Sequence, residues 1–235
     1  MKKVLFGIFA HPDDEGFGPS GTLIKMAQNG VDIHLICLTR GEAGMNVDNY
    51  ENLGAVRSQE WHKAGELIGA TSMKQFDFGD GRLCNAWYHE IAAAIESHVN
   101  EKLQTYQEPV EVEFLTFDHT GITGHLDHIA VSMITSFVFI CLSKQPTRHH
   151  FSHIRLFCLP PTICDNDVSY VYWPAGRIKT DETIDISDVF DKKLAVMHAH
   201  YSQRSDAAML LERLGELMKQ ESFCFLKPRS TGQES

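Results

Sequence analysis

Two clusters of imidazole and carboxylate residues could do chemistry in this chain. The first is Ala10-His11-Pro12-Asp13-Asp14-Glu15; the second runs from Asp118-His119 through Gly124-His125-Leu126-Asp127-His128. Zinc favours imidazole nitrogen and carboxylate oxygen, and its catalytic sites have three protein ligands and one open position. His11 and Asp14 stand three apart on a turn, so both could chelate one ion. A third ligand would come from His125 or His128. Asp13 would then be free to take a proton from water activated by the ion. A lone HPDDE also reads as a turn with a helix cap. A second cluster at a matching place in the chain argues against that simpler reading.

A competing signal lies directly after the first cluster. Gly16-Phe17-Gly18-Pro19-Ser20-Gly21 fits GxGxxG, and Glu42 stands about where a ribose ligand belongs. Two physical objections outweigh it. The first glycine comes six residues after the strand rather than in its tight turn. Asp13, Asp14 and Glu15 would also repel a pyrophosphate.

The elements that must position these clusters follow from apolar periodicity. Residues 3–10 are a continuous apolar run, as expected of a strand covered on both faces. A helix is predicted over 19–29, with Pro19 in its first turn and Gly30 as its stop. Strands follow at Val31–Leu38, Met73–Phe78 and Val112–Phe117. Helices are predicted at Glu51–Gly69, Tyr88–Leu103 and His125–Leu142. Further on, Ile154–Leu159, Ser169–Trp173 and Thr183–Ile186 read as short strands. Ser187–His200 and Asp206–Lys219 read as helices. This alternation argues for a three-layer α/β domain with a largely parallel sheet. Both clusters then stand at carboxyl ends of strands, where such sheets place their sites. One domain over 1–228 with a loose tail at 229–235 is expected.

Composition narrows the partners. With 31 acidic and 21 basic residues among 235, the net charge is −10. A phosphate-tracking surface needs a basic balance, so nucleic acid is a poor partner. The N-terminal apolar run is too short for a secretory signal, and Met133–Leu142 is too short and polar to span a bilayer. A soluble cytoplasmic protein without a membrane partner is expected. The six cysteines form no CxxC pair and sit mostly in apolar runs, which suits buried free thiols.

HPDDE after the first strand and GHxDH after a later one resemble the LmbE-like, or PIG-L, family of zinc N-deacetylases. The resemblance covers most of the chain. It extends to Thr39-Arg40-Gly41-Glu42-Ala43-Gly44, to Arg57 and Glu60, and to Lys193–Gln203 with its His200-Tyr201-Ser202-Gln203. Members deacetylate N-acetylglucosamine units in glycolipid anchors, thiol-cofactor precursors or chitin-derived sugars. The resemblance implies a Rossmann-like fold and one zinc per chain on His11, Asp14 and His128. It implies Asp13 as general base, His125 at the oxyanion and Asp127 orienting a histidine. An N/O site could also take iron(II). The resemblance further implies a homo-oligomer, trimer or hexamer, acting on a small N-acetylated molecule.

A bond from Asp127 to His125 is expected to set that ring's tautomer and raise its pKa. Arg40 and Arg57 could hold sugar hydroxyls or a substrate anion, or form plain ion pairs. His200 is expected to face the cleft, and His198 to be ordinary surface or core. The sequence departs from the family pattern at Leu126, where proline is usual, and at Thr123, where some members carry tyrosine. His149, His150 and His153 read as a basic loop rather than a second metal site. Trp61 and Trp173 read as core rather than sugar platforms, whereas Trp87 follows a Gly-rich loop and could be either. A zinc amidase for a thiol-conjugate amide is the rival enzyme; a non-catalytic zinc or sugar-binding module is the rival outside enzymes. Asp13 beside the ligands favours catalysis, since a pure binding site needs no free base.

Overall fold

The structure, a computed structural model, describes residues 1–159 and 180–228. The expected strand at Ser169–Trp173, with Trp173, lies outside the described residues, as do Cys164 and the tail. Among the described residues seven strands form one sheet: β1 (Lys2–Phe9), β2 (Asp32–Cys37), β3 (Ser72–Gln75), β4 (Val110–Phe117), β5 (His150–Cys158), β6 (Glu182–Asp185) and β7 (Gln220–Leu226). Their order is β3-β2-β1-β4-β5-β7-β6. The first five are parallel, and β7 runs antiparallel to both β5 and β6.

Helices cover both faces. One layer holds α2 (Ser20–Gln28), α3 (Leu53–Ile68) and α7 (Phe190–Ala199); the other holds α4 (Tyr88–Gln104) and α6 (Leu126–Lys144). This double cover explains why β1, β2 and β4 are near-continuous apolar runs. Val4, Leu5, Phe6, Ile8 and Phe9 are all fully buried. Local chemistry sets the helix ends. Asn52 caps α3 by accepting the Ala55 amide at 3.0 Å, and Gly69 ends it in a left-handed conformation at φ 86°.

Two short helices flank the sequence clusters: α1 (Asp14–Phe17) and α5 (Gly121–Gly124). A final helix, α8 (Arg204–Leu214), stops short of the predicted Lys219, because the chain tightens into a 3-10 turn at Gly215–Lys219.

Strand β7 was absent from the periodicity reading. It opens with polar Gln220, Glu221 and Ser222, yet Glu221 and Ser222 are buried. Glu221 accepts the amides of Gly21 and Thr22 at 3.0 and 2.7 Å and pairs with Lys193 Nζ at 2.6 Å. The carboxylate therefore occupies the positive end of α2. A Cβ on Gly21 would lie 2.4 Å from Ile186 Cδ1 and 2.9 Å from Glu221 Oε1. The glycine-rich segment thus packs a helix against a strand, and the amides that would cradle a pyrophosphate are already used.

Helix α6 is apolar all round. It is 19 residues long with mean hydropathy 1.8, so length and composition alone would let it cross a membrane. The shorter apolar run read from the sequence understated it. Half of the helix is buried inside the fold. Its outward face exposes Leu126, Met133, Phe137 and Ile140.

Candidate metal and catalytic site

β1 and β4 are neighbours, and the chain leaves β1 toward β2 on one side and β4 on the other. The carboxyl ends of these two strands form a topological switch point, where an open α/β sheet leaves a crevice. The HPDDE turn leaves β1 there, and the His125–His128 segment opens α6 beside it.

Three donors converge. His11 Nδ1 is 3.6 Å from Asp14 Oδ2, His128 Nε2 is 3.0 Å from Asp14 Oδ1, and the two imidazole nitrogens are 3.3 Å apart. Atoms about 2.0–2.2 Å from a tetrahedral ion stand about 3.3–3.5 Å from one another, so these donors fit a zinc-like ion. His11, His125 and His128 also lie close enough to hold a metal. The tautomers separate the two histidines. Nδ1 of His128 faces the Gly121 carbonyl at 3.2 Å, so it carries the proton and Nε2 keeps a free lone pair. Nδ1 of His125 accepts the Asp127 amide at 3.2 Å, so its Nε2 is the protonated donor when the ring is neutral.

The two adjacent aspartates diverge. Asp14 Oδ2 accepts the amides of Ala10 and His11 at 3.1 and 2.8 Å, which leaves Oδ1 toward His128. Burial pushes the Asp14 pKa up, but His128 and His11 outweigh it and hold the carboxyl well below its usual range. Asp13 instead takes a left-handed backbone, φ 107°, and its Oδ2 meets Arg57 at 2.8 Å. Burial pushes Asp13 up to about 6, against the pull of Arg57 and with help from Asp14.

His11 has a second carboxylate environment. Its Nε2 lies 3.0 Å from Asp80 Oδ1 and 3.1 Å from Asp127 Oδ2. Burial lowers the His11 pKa, but Asp127, Asp14 and Asp80 together raise it well above normal. Asp127 is fixed in turn by the Gly81 and Leu83 amides at 2.8 and 3.2 Å. Asp80 accepts the Ala43 amide and donates its own to Glu42 Oε1 at 2.8 Å. Sequence reasoning missed Asp80. It stands just after β3, at the same sheet end as the other clusters, and that position was the available signal.

The structure corrects several expectations. The Asp127 carboxylate bonds His11, while only its backbone amide reaches His125. The His125 pKa is lowered, by burial and by the neighbouring His128 and His11 imidazoles. Arg57 is buried, with Nη1 on Gly41 O and Nη2 on Pro12 O and Asp13 Oδ2, so its guanidinium serves the HPDDE turn rather than the open cleft. His200 is 1% exposed and bonds Glu15 Oε1 at 2.8 Å, beneath the cleft rather than in it. Arg40 is exposed and loosely paired with Asp77 at 3.3 Å. Thr123 lies in α5. Trp61 is core, whereas Trp87 is half exposed. His198 is surface. His150 and His153 lie in β5 rather than in a loop; His149 accepts the Val110 amide, His153 tilts against the Phe225 ring, and none of the three belongs to a group able to hold a metal among the described residues.

A family profile described as "PIG-L: GlcNAc-PI de-N-acetylase" matches residues 6–139, which span both clusters and every donor above. The chain belongs to the PIG-L family of N-deacetylases. A relative from Bacillus anthracis, "Probable N-acetyl-alpha-D-glucosaminyl L-malate deacetylase 2", is 24% identical over 88% of this chain and 84% of its own. Among solved structures, the N,N'-diacetylchitobiose deacetylase of Pyrococcus horikoshii superposes with TM-score 0.70 at 19% identity, covering 96% of this chain and 84% of its own. A 4-carboxy-2-hydroxymuconate hydratase from Pseudomonas putida superposes with TM-score 0.63 at 20% identity, covering 99% and 100%. The fold therefore serves more than one reaction, and the activity of this PIG-L deacetylase must be argued from its residues.

Proposed function

We propose that this chain is a zinc-dependent deacetylase of a small molecule containing N-acetylglucosamine. The observation that carries the reading is the divergence of Asp13 and Asp14. One carboxylate joins two imidazoles in a metal-sized cluster, and its neighbour is held apart as a base. Of the proteins named above, the Bacillus anthracis relative and the Pyrococcus horikoshii enzyme carry an acetylated glucosamine or chitobiose compound in their names, which supports the substrate class. Zinc is favoured by the two-imidazole, one-carboxylate donor set, and iron(II) is the alternative.

His11 Nδ1, Asp14 Oδ1 and His128 Nε2 would hold one ion per chain. When bound, the ion supplies Lewis acidity, lowering the pKa of water toward about 7 and polarising the amide carbonyl. Asp13 accepts the proton of the attacking water as its oxygen bonds to the carbonyl carbon. The His125 Nε2–H donates to the oxyanion that develops. The carbon–nitrogen bond then breaks with its electron pair on nitrogen, and Asp13 returns the proton there. Acetate and a free amine leave. Asp127 and Asp80 keep His11 in the tautomer that presents Nδ1. Arg40, at the rim, is the remaining candidate for a sugar contact.

The test is a free-amine screen over N-acetylated sugars, run on protein of measured zinc content. Amine release that tracks zinc supports the reading. Zinc-loaded protein silent on every acetylated sugar but active on another amide would replace the substrate class. Hydration without amine release would replace the reaction.

The outward face of α6 supports self-association into the trimer or hexamer expected of the family. Leu126, Ala130, Met133, Phe137 and Ile140 follow a 4-3-4-3 spacing, the seam along which helices pack. No charged residue interrupts it. Phe137→Glu should dissociate the assembly in sedimentation; a monomeric parent would refute self-association. A cytoplasmic location accords with free thiols at Cys37, Cys84, Cys141 and Cys158, of which Cys37 and Cys158 are buried. Cell fractionation would test it.

A further inference from the structure

Asp13 is one of three non-glycine described residues with positive φ. A left-handed aspartate is strained, and such strain persists only where neighbours over-determine it. Two groups grip it. From one side, Arg57 bonds both Pro12 O and Asp13 Oδ2. From the other, Glu15 Oε2 accepts the Asp13 amide at 3.3 Å. Glu15 is itself held, with Oε1 2.8 Å from His200 Nε2. Glu15 is fully buried and His200 nearly so. Their approach depends on Gly16. A Cβ there would stand 3.1 Å from His200 Cδ2 and 3.3 Å from its Nε2. The first glycine of the GFG segment thus makes room for an imidazole.

We propose that Glu15 and His200 are a positioning pair for the general base. They hold the Asp13 backbone left-handed, so that its carboxylate turns to Arg57 rather than joining Asp14 among the metal donors. The pair touches neither substrate nor metal donors. The alternative is that it merely docks α7 on α1, which would affect stability and leave the base alone. The proposal rests on Asp13 as the base, and the test separates the two claims.

Three variants would be compared with the parent, all zinc-loaded: His200→Phe, Glu15→Gln and Gly16→Ala. Crystal structures, zinc content, and kcat and KM on N-acetyl-D-glucosamine would be measured. His200→Phe keeps the ring volume and removes the bond to Glu15. It should retain zinc, release Asp13 from its positive φ, and lower kcat by about 10- to 100-fold with KM unchanged, as misplacing a catalytic group does. Glu15→Gln keeps an acceptor for the Asp13 amide and should hold kcat within about threefold. Gly16→Ala should fall between them, and it carries the comparison if His200→Phe does not fold. Asp13 remaining near its parent φ in the His200 or Gly16 variant would overturn the proposal. So would a loss confined to KM or to zinc. Should the parent release no amine from any acetylated sugar, the deacetylase reading fails, while the Asp13 backbone in the variants still decides the positioning claim.

Discussion

Oδ2 of Asp127 lies 3.1 Å from Nε2 of His11, on the ring nitrogen opposite the one that faces Asp14 and His128. Asp80 shares that nitrogen at 3.0 Å. Two carboxylates on one imidazole N–H strengthen the other nitrogen as a donor and lock the ring. Partners of this kind change metal affinity by about 10- to 100-fold when removed. Asp127→Asn and Asp80→Asn should each weaken zinc by that factor in a chelator competition, with secondary structure intact. Because both act on one ring, their effects should not add. Additive losses would mean that they act separately. Unchanged affinity in both would remove His11 Nε2 from the argument.

The Asp13 carboxyl sets a pH limb. Burial raises it to about 6, so its proton-accepting form dominates above that pH and vanishes below it. The rate should therefore rise with pH through about 6 and then level. Arg57 pulls this pKa down, so Arg57→Ala should shift the limb to higher pH. The profile of kcat/KM against pH on both proteins checks this. A limb that keeps its midpoint in the variant would show that another group titrates.

The sequence shows the site well because chemistry and periodicity coincide in the first 140 residues. The runs of β1, β2 and β4 are apolar since helices cover both faces, and their ends carry the histidines and aspartates. What stayed hidden depends on partners distant in sequence. Asp80 sits in a Gly-Asp-Gly turn that resembles any turn until β3 is placed beside β2. Arg57 reads equally as a substrate contact or a plain ion pair, and its burial follows from the turn at Pro12–Asp13 and the carbonyl of Gly41. Strand β7 is masked by Glu221, whose charge is tolerated inside only because Lys193 and the start of α2 meet it. The tautomer of His125 follows from a backbone amide, which no side-chain pattern displays.

The Glu221 carboxylate gives a stability prediction. It is buried against Lys193 Nζ at 2.6 Å and accepts two amides of α2. Removing one partner of a buried pair leaves the other charge uncompensated, a loss of about 3–5 kcal/mol. Glu221→Ala should lower the unfolding free energy by that amount in urea titration. The parent should also bind neither NAD nor NADP by calorimetry, since the α2 amides are taken. A destabilisation under about 1 kcal/mol would show that the pair contributes little, and a micromolar dinucleotide affinity would revive the oxidoreductase reading.

The sharpest test lies in two side chains of identical chemistry. Asp14 turns back on the amides of Ala10 and His11 and meets His128, whereas Asp13 is bent away to Arg57. Asp13→Asn keeps the size and one acceptor oxygen but cannot take a proton. It should retain zinc and lose about two to four orders of magnitude in deacetylation rate, the usual weight of a general base. The acid limb near pH 6 should disappear from whatever activity remains, because Asp13 produces it. Asp14→Asn should weaken zinc binding instead, with activity partly recovered as zinc is added. Zinc content and rate, measured on both variants, decide the assignment. If Asp13→Asn loses the metal while Asp14→Asn keeps it and stays active, the roles are exchanged. If Asp13→Asn keeps near-full activity, the base lies elsewhere, and His125, which shares the cluster with His11 and His128, is the next group to test.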